Sequence, residues 1–372
     1  MGESRSRARF RELGFTIGVL PAGPFNAITD VKGVKVGHTT LISGEGRLER
    51  GKGPVRSGVT AIIQHSHPLW FTRVKAAVDI LNGSGEVTGR TFIDEMGEMD
   101  SPILLTSSFN VPRVADATLS YMMQKVPGIG VTAGYAHPVV AECSDMMLSD
   151  MQGRHVGERE VWEALDGAKS GPVQEGCVGG GTGLTCYQWK SGIGTSSRVV
   201  EIEGAEYTVG VLVQANHGSR QQLKVDGVPV GQGIPGMLPT WAVPREGSIV
   251  IVVATDAPLS SRQVRRVTKR AALGLARTGS TAKNGSGDML IGFSTGNLID
   301  RRTPVHTIRM LNNEYINPLF DSVAEATEEA IINSITTAET LTGRDGNTAY
   351  AIPLDQLVEV LERYGRRRRV LV

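Results

Sequence analysis

The feature that most constrains the fold of this chain is an uninterrupted apolar run, IVIVVAT at residues 249–255, directly after the step Arg245-Glu246-Gly247-Ser248. The run is rich in β-branched residues and does not alternate with polar ones. It therefore predicts a strand buried on both faces rather than a surface strand. Ser248 is expected at the end of this strand, where the rigid sheet ends.

The Gly247–Ser248 bond has the arrangement that self-cleaving hydrolases use. Scission there would turn an interior serine into an N-terminal nucleophile with its own amine beside it. A free α-amine, whose reference pKa is about 7.7 to 8.0, is a plausible base near neutral pH. Most Gly-Ser dipeptides are turns, however, so the dipeptide alone favours ordinary structure.

Other segments predict the layers around this strand. Apolar runs indicate buried strands near residues 57–64, 206–215 and 288–295. Apolar residues at helical spacing predict a helix between Asp256 and Gly279 and a second from about Leu319 to Leu341. Helices combined with buried strands indicate a layered α/β sandwich, and we expect residues 1–372 to form a single domain. The stripes are Val264, Val267, Ala271 and Leu275, then Val323, Ala330, Ile331, Ile335 and Ala338.

Composition and charge exclude several classes of protein. A net charge of +1 gives no electrostatic reason to expect nucleic acid or an anionic membrane as a partner. No segment reaches about 18 consecutive apolar residues, so no membrane span is expected. The first 14 residues are basic and lack an apolar core, which predicts a solvated tail rather than a secretory signal. The basic block at 366–369 is expected to be a solvated end or a subunit contact.

No cofactor or metal is expected. The letters GQGIPG at 231–236 match a dinucleotide fingerprint, but the prolines in and after them exclude the helix that it requires. The surrounding stretch, 227–247, is interpreted as an exposed connector. His65 and His67 have no HExxH helix or carboxylate cluster nearby and are interpreted as structural or surface histidines. Three cysteines cannot all pair and lack zinc-site spacing, which favours a reducing cytoplasm.

Motifs spread from about residue 15 to the C-terminus resemble those of the DmpA-type aminopeptidases, also called L-aminopeptidase/D-esterases and β-peptidyl aminopeptidases. The resemblance implies a four-layer αββα sandwich, shared with ornithine acetyltransferases and similar in layering to N-terminal-nucleophile hydrolases but differently connected. It also implies self-cleavage into residues 1–247 and 248–372. The matching stretches are FNAITDVKGVKVGH (25–38), NGSGEVTG (82–89), PVVAECSD (138–145), GCVGGGTGLTC (176–186), KSGIGTSS (190–197), VGVLVQANHG (209–218), REGSIVIVVATDAPL (245–259), RTGSTAKNGSGDMLIGFST (277–295) and TGRDG (342–346).

The same resemblance assigns candidate catalytic residues. Ser248 is the implied nucleophile, Ser286 and Asp288 of the GSGD motif hydrogen-bond toward it, and Asn216 supplies a side-chain amide to the oxyanion. Many members carry Glu at the position of Asp288, so the carboxylate here is one methylene shorter. From the residues alone, GSGD and Asn-His-Gly are equally typical of turns at strand ends.

Substrate recognition has its own candidates. An aminopeptidase must bind a cationic amine, and Glu142 is the carboxylate expected to do so, with Asp145 as the second choice. Either carboxylate could instead stabilise a loop. Ser144 occupies a position where better-known members have a tyrosine that contacts the active site, so the range of substrates is expected to differ.

The resulting hypothesis is a self-processing serine aminopeptidase, amidase or esterase that acts on small peptides, amides or esters. The resemblance further implies a homo-oligomer, commonly a tetramer of processed pairs. Two alternatives stay open. One is an acyltransferase on the same fold, although the related ornithine acetyltransferases use threonine as nucleophile. The other is a processed but non-catalytic binding protein, with Ser144 as the sign of a decayed site.

Overall fold

Two β-sheets packed face to face lie between two layers of helices. The computed structural model describes residues 6–241 and 247–366, and the element bounds refer to those residues. The strands are β1 (Lys35–Ser43), β2 (Val55–Ile63), β3 (Thr72–Gly83), β4 (Glu98–Met99), β5 (Ile103–Thr106), β6 (Val139–Glu142), β7 (Thr185–Cys186), β8 (Trp189–Lys190), β9 (Ile193–Ile202), β10 (Ala205–Asn216), β11 (Ser248–Thr255), β12 (Gly287–Asp300), β13 (Leu341–Thr342) and β14 (Thr348–Ala349). The helices are α1 (Arg90–Met96), α2 (Val111–Lys125), α3 (Glu158–Asp166), α4 (Val230–Gly233), α5 (Ser261–Thr268), α6 (Ala271–Arg277), α7 (Asn317–Thr336) and α8 (Leu354–Arg363).

The larger sheet has the strand order β4-β3-β12-β11-β10-β9, and the smaller one has the order β1-β2-β5-β6. Within the larger sheet, β11 pairs antiparallel with β10 and parallel with β12. The register places Ser248 opposite Asn216 and Ile249 opposite Asp288. Pairing with these two neighbours therefore brings three distant parts of the sequence to one end of β11.

Strand β11 is buried along its whole length, as its sequence predicts. Ile249, Ile251 and Val253 pack into the core beneath the helices on one side of the sheet. The alternate residues Val250, Val252 and Ala254 pack into the core between the two sheets. Because both faces are covered by apolar layers, the run needs no polar residue at alternate positions.

The outer helices complete the four layers. α2 and α3 cover the outer face of the smaller sheet, and α5, α6 and α7 cover that of the larger one. α7 lies so close to β9 that a Cβ at Gly194 would come within 2.0 Å of the Ala330 carbonyl oxygen. The predicted αββα sandwich is confirmed. No helix in the described ranges is long and apolar enough to cross a bilayer.

The helices differ in extent from the sequence prediction. The segment between Asp256 and Gly279 forms two helices, α5 and α6, because the chain turns at Lys269 and Arg270. α7 ends at Thr336 rather than near Leu341. The hydroxyl of the next residue, Thr337, donates to the Asn333 carbonyl at 2.7 Å. The backbone N–H of Thr337 donates to the same carbonyl at 3.0 Å, so Thr337 binds the last turn of the helix through two donors.

The N-terminal segment is not a solvated tail from residue 6 onward, which corrects the sequence prediction. Phe10 is 1% exposed, and its backbone N–H donates to Asn333 Oδ1 at 2.9 Å. Arg11 forms an ion pair of 2.7 Å with buried Glu329. The basic residues that suggested solvation thus reach acceptors in the core while the aromatic side chain packs among apolar ones.

The stretch 227–247, which the sequence predicts to be an exposed connector, is exposed only in part, and this is a second correction. Val228, Val230 and Ile234 are buried, whereas residues 235–238 are exposed. Residues 242–246, which include Arg245 and Glu246, lie outside the described residues, as do 367–369 of the basic block. Arg366 forms an ion pair of 3.1 Å with Asp226 of the same chain.

Replacing Arg198 tests the buried charges that hold the N-terminal segment and α7 to β9. The guanidinium is fully buried and pairs with Glu325 at 3.0 Å and with Glu329 at 2.8 Å. Arg198→Met is expected to lower the free energy of unfolding by about 3 to 5 kcal/mol, because it leaves the carboxylate of Glu325 without its ion-pair partner and that of Glu329 with Arg11 alone. Urea unfolding measures the loss. Arg363→Met, which removes an exposed pair with Glu359, is the matched control and is expected to cost nothing measurable.

Candidate active site

Ser248, the first residue of β11, lies on the wall of a cavity of about 360 Å³. Only 7% of the residue is exposed, and Gly247 lines the same cavity. A Cβ at position 247 would come within 2.0 Å of the Asn216 carbonyl oxygen, so only glycine fits there without movement. The structure thus places the Gly247–Ser248 bond at a cavity, with the serine held by a strand.

Asn216 ends β10 directly opposite Ser248 and also lines the cavity. Its carboxamide oxygen accepts from the Thr185 N–H at 3.0 Å, and its Nδ2 donates to the Ser144 carbonyl at 3.0 Å. These two bonds fix which way the amide faces. Nδ2 carries a second hydrogen, which makes this group a suitable donor for a developing oxyanion.

Ser286 and Asp288 are brought next to the start of β11 by the parallel pairing with β12. Ser286 Oγ donates to Asp288 Oδ1 at 2.7 Å, while Oδ2 is buried and has no hydrogen-bond partner within residues 6–241 and 247–366. Burial raises the pKa of Asp288 to about 6, and the Ser286 hydrogen bond opposes that rise. The bond to Oδ1 holds the Ser286 hydroxyl in a defined orientation, and Oδ2 can still accept a second hydrogen bond.

The loop before β12 is braced from β3. Asn82 Nδ2 donates to the carbonyls of Lys283 and Asn284 at 2.9 and 3.0 Å. The backbone N–H of Ser84 donates to the Ser286 carbonyl at 3.3 Å. The motifs NGSGEVTG and KNGSGD are therefore neighbours in space. Their backbones approach so closely that a Cβ at Gly287 would come within 2.6 Å of the Ser84 carbonyl oxygen.

Glu142, the last residue of β6, reaches the cavity from the smaller sheet. Its carboxylate accepts from Ser108 Oγ and from the Glu86 N–H, the latter at 3.3 Å. Burial raises the pKa of Glu142 above its ordinary value, and the two hydrogen bonds partly oppose the rise. A buried carboxylate at a cavity wall is suited to a cationic ligand, whose charge would favour the ionised form.

The structure separates the two neighbours Ser144 and Asp145. Ser144 lines the cavity, and its carbonyl accepts from Asn216. Asp145 does not line the cavity; its carboxylate accepts from Ser107 Oγ at 2.7 Å in the interior. Burial raises the pKa of Asp145 to about 6. The geometry thus brings Glu142 and Ser144 to the cavity and places Asp145 behind it.

His217 is a residue of the cavity wall that sequence reasoning missed. It is buried, lies edge-on against the Tyr187 ring with centroids 5.0 Å apart, and has Nδ1 3.7 Å from Cys186 Sγ. Burial lowers the pKa of His217 to about 3, so its imidazole is neutral across the physiological range. Its position directly after Asn216 was the signal that could have drawn attention to it.

The described residues contain no group of three or more His, Cys, Asp or Glu side chains able to hold a metal ion. His65 is buried and bonds through Nε2 to the Thr72 carbonyl at 3.0 Å, while its Nδ1 accepts from the His67 N–H. Cys143, Cys177 and Cys186 are unpaired.

Comparison with known proteins matches this chain to a peptidase family. The sequence profile of peptidase family S58 matches residues 26–349. The beta-peptidyl aminopeptidase BapA of Sphingosinicella xenopeptidilytica is 46% identical over 378 residues, which span 96% of this chain and 92% of that protein. The BapA of Sphingosinicella microcystinivorans is 43% identical over 374 residues, which span 96% and 93% of the two chains.

Solved structures agree with the sequence match. The PH0078 protein from Pyrococcus horikoshii OT3 superposes with a TM-score of 0.92 at 47% identity, covering 96% of this chain and all of the other. The L-aminopeptidase D-Ala-esterase/amidase from Ochrobactrum anthropi, described as a variant of the N-terminal-nucleophile hydrolase fold, gives 0.90 at 40% identity, with 96% and 99% covered. The resemblance inferred from the motifs is confirmed.

The raised pKa of Asp145 predicts how stability depends on pH. The pKa of Asp145 is about 6 in the folded state and about 3.9 in the unfolded state, so the folded state binds the proton more tightly. The carboxyl group therefore stabilises the fold most below the unfolded pKa, where it is protonated. That contribution is lost as pH rises through the folded value. Asp145→Asn cannot ionise, so between pH 4 and 7 the wild type is expected to lose about 2 to 3 kcal/mol relative to this variant.

Urea unfolding at both pH values measures that difference. Asp116→Asn, at an exposed position of α2, controls for the loss of a carboxylate. A difference between wild type and Asp145→Asn that stays constant with pH would contradict the burial of the charge.

Proposed function

This chain belongs to peptidase family S58 and is an aminopeptidase that acts on peptide or amide substrates, and we propose that Ser248, freed by self-cleavage, is its nucleophile. The observation that carries the proposal is the position of Ser248 at the start of a doubly buried strand, on a cavity wall shared with Asn216 and Glu142. Cleavage would give residues 1–247 and 248–372.

In the processing step, the Ser248 hydroxyl attacks the carbonyl carbon of Gly247. The peptide C–N bond breaks, the nitrogen takes the hydroxyl proton, and an ester joins the two residues. Water then hydrolyses the ester, which leaves a carboxylate on Gly247 and a free amine on Ser248. Support comes from the cavity, because both residues line it and a water molecule can reach them there.

In the catalytic cycle the free amine of Ser248 takes the hydroxyl proton as the oxygen attacks the substrate carbonyl. Asn216 Nδ2 donates its second hydrogen to the oxyanion, an interaction of a kind worth about 3 to 4 kcal/mol in other hydrolases. The protonated amine then gives its proton to the leaving nitrogen. Water releases the acyl group and restores Ser248.

The Ser286–Asp288 pair is proposed to position the nucleophile. Asp288 lies beside Ile249 in the sheet, and its carboxylate holds the Ser286 hydroxyl at 2.7 Å. Glu142 is proposed to bind the substrate's ammonium group, which places the residue to be removed between this carboxylate and Ser248. The neutral His217 supports the wall and takes no proton.

Three further properties are part of the proposal. The names of the BapA relatives favour N-terminal β-amino acids among the substrates. Assembly into homo-oligomers, with the tetramer favoured by the family resemblance, can be measured by light scattering. A cytoplasmic location is proposed from the three unpaired cysteines.

Mass spectrometry of the purified protein tests self-processing. Wild type is expected to yield two fragments that divide between Gly247 and Ser248, whereas Ser248→Ala should stay intact because it lacks the attacking oxygen. Ser66→Ala, at an exposed position outside the cavity, is the matched control and should divide like wild type. A Ser248→Ala chain that still divides there would refute the proposal.

Glu142→Gln tests amine recognition. The substitution keeps the size of the side chain: the amide oxygen can still accept from the Glu86 N–H, and the amide nitrogen can donate to Ser108 Oγ. It removes the charge, so KM for β-alanine p-nitroanilide is expected to rise by roughly tenfold or more. In the wild type, KM should rise as pH falls through the raised pKa of Glu142, because the carboxylate loses its charge. In the variant, KM should not rise over the same pH range. Glu95→Gln, exposed on α1, is the control. An unchanged KM in Glu142→Gln would exclude this role.

Ser286→Ala tests the pair with Asp288. Loss of the hydrogen bond removes the interaction that lowers the pKa of Asp288, so this pKa should move above its value of about 6. The Ser248 amine must be neutral to act as base, so it gives one acid limb of the kcat profile. If the carboxylate of Asp288 acts in its ionised form, it adds a second limb at lower pH, and this limb shifts to higher pH in the variant. Stopped assays from pH 5 to 9 measure the limb. If Ser286→Ala lowers kcat without shifting the pH dependence of kcat, the ionisation of Asp288 does not control the reaction.

A further inference from the structure

A second and larger groove, of about 1190 Å³, adjoins the catalytic cavity. The two share Gln188 and Trp241 in their walls, so they lie side by side. Neutral amide side chains dominate the polar part of the groove, which suits hydrogen bonds with a peptide backbone. They belong to Gln188, Gln221, Gln222 and Gln232.

The charged side chains of the groove are both cationic. Arg220 and Lys283 line it, and none of the described lining residues is Asp or Glu. The guanidinium of Arg220 is buried against the Trp189 ring at 3.2 Å, and its donors bind main-chain carbonyls, such as that of Gln188 at 2.7 Å. Burial lowers the pKa of Arg220 to about 9, so the group stays charged at neutral pH. Carbonyl partners do not neutralise that charge.

Lys283 places the second cation on the loop that also carries the Ser286–Asp288 pair. Its backbone carbonyl accepts from the Ser286 N–H at 2.8 Å, which fixes the residue relative to the catalytic loop. Its ammonium group donates to Ser219 Oγ at 3.3 Å. An ammonium has three donors, and a neutral hydroxyl leaves its charge uncompensated.

The combined cavity and groove therefore have opposite charge at their two ends. Glu142 supplies the negative charge beside Ser248, and Arg220 with Lys283 supplies the positive charge in the adjoining groove. A short peptide has the complementary arrangement, with an ammonium at one end and a carboxylate at the other.

We propose that the groove binds the C-terminal carboxylate of short peptide substrates through Lys283, so that free peptides are preferred over their amides. The inference rests on the proposed function and adds a substrate class to it. The residues beyond the cleaved bond lie along the glutamine side chains, and Arg220 adds a long-range attraction without direct contact. Lys283 is thus a residue that determines specificity for the leaving group.

The test compares kcat/KM of the processed enzyme for β-alanyl-leucine and for β-alanyl-leucine amide. Wild type is expected to prefer the free acid, and Lys283→Met should lower the ratio of acid to amide by roughly tenfold or more, as for loss of a charged hydrogen bond. Lys283→Arg should restore most of the ratio. Lys224→Met, an exposed lysine outside the groove, controls for net charge and should keep the wild-type ratio.

The outcomes separate the inference from the proposed function. Equal loss on acid and amide in Lys283→Met would overturn the carboxylate site, because a structural defect does not discriminate between the two substrates. A wild-type ratio near one, with both substrates cleaved, would overturn it too and leave the aminopeptidase mechanism standing. No cleavage of either dipeptide or of β-alanine p-nitroanilide by processed wild type would overturn both.

Discussion

The structure depends on one strand that is covered by apolar layers on both faces. β11 contacts the helical core with one set of side chains and the inter-sheet core with the other. A shift of one residue would exchange the side chains of β11 between these two close-packed cores, each of which is filled by side chains of a given size and shape. The position of Ser248 is therefore fixed by packing along the next seven residues rather than by the loop before it.

This constraint determines what lies around the serine. Pairing with β10 brings Asn216 opposite Ser248, and pairing with β12 brings Asp288 beside Ile249. The smaller sheet contributes Glu142 from the far side of the inter-sheet core. Each polar group is held at a strand end, where the apolar core stops and the cavity begins. Preorganised groups of this kind need little reorganisation when charge develops in a reaction.

Burial sets the electrostatics of the site. Glu142, Asp145 and Asp288 all have raised pKa values because they leave water, yet each accepts a hydrogen bond from a nearby serine hydroxyl. Serine donors stabilise a carboxylate without adding a positive charge. A carboxylate held in this way retains its attraction for a cationic ligand, which an arginine partner would have neutralised.

Much of this arrangement could be predicted from the sequence, for identifiable reasons. The run 249–255 predicts a strand buried on both faces, since no amphipathic element carries six successive apolar residues, and β11 has the expected bounds to within one residue. The four layers and the candidate catalytic residues are implied by the resemblance to the DmpA-type aminopeptidases, which the order of the motifs indicates. Strand pairing then explains why Asn216 and Ser248, 32 positions apart, meet.

Other features could not be predicted because they depend on tertiary contacts. The basic N-terminal segment indicated solvent, but Arg11 pairs with buried Glu329 on α7 and Arg9 pairs with buried Glu175, contacts that no local pattern reveals. Glu142 is the first sequence candidate for amine binding and Asp145 the second, and only the direction of the chain after β6 shows that Glu142 lies on the cavity wall and Asp145 in the interior. The role of Lys283 likewise depends on a groove formed by segments far apart in the sequence.

The same packing bears on how a cleaved chain would hold together. β11 and β12 belong to the part after Gly247, yet they lie in the middle of the larger sheet, between β3 and β10 of the part before it. Separation of the two parts would break two full strand pairings and expose both apolar faces of β11. The free energy needed to expose that apolar surface far exceeds the change in the stability of the folded state when one peptide bond is cut. Self-cleavage at this position can therefore release an amine at the cavity while the sandwich around it stays intact.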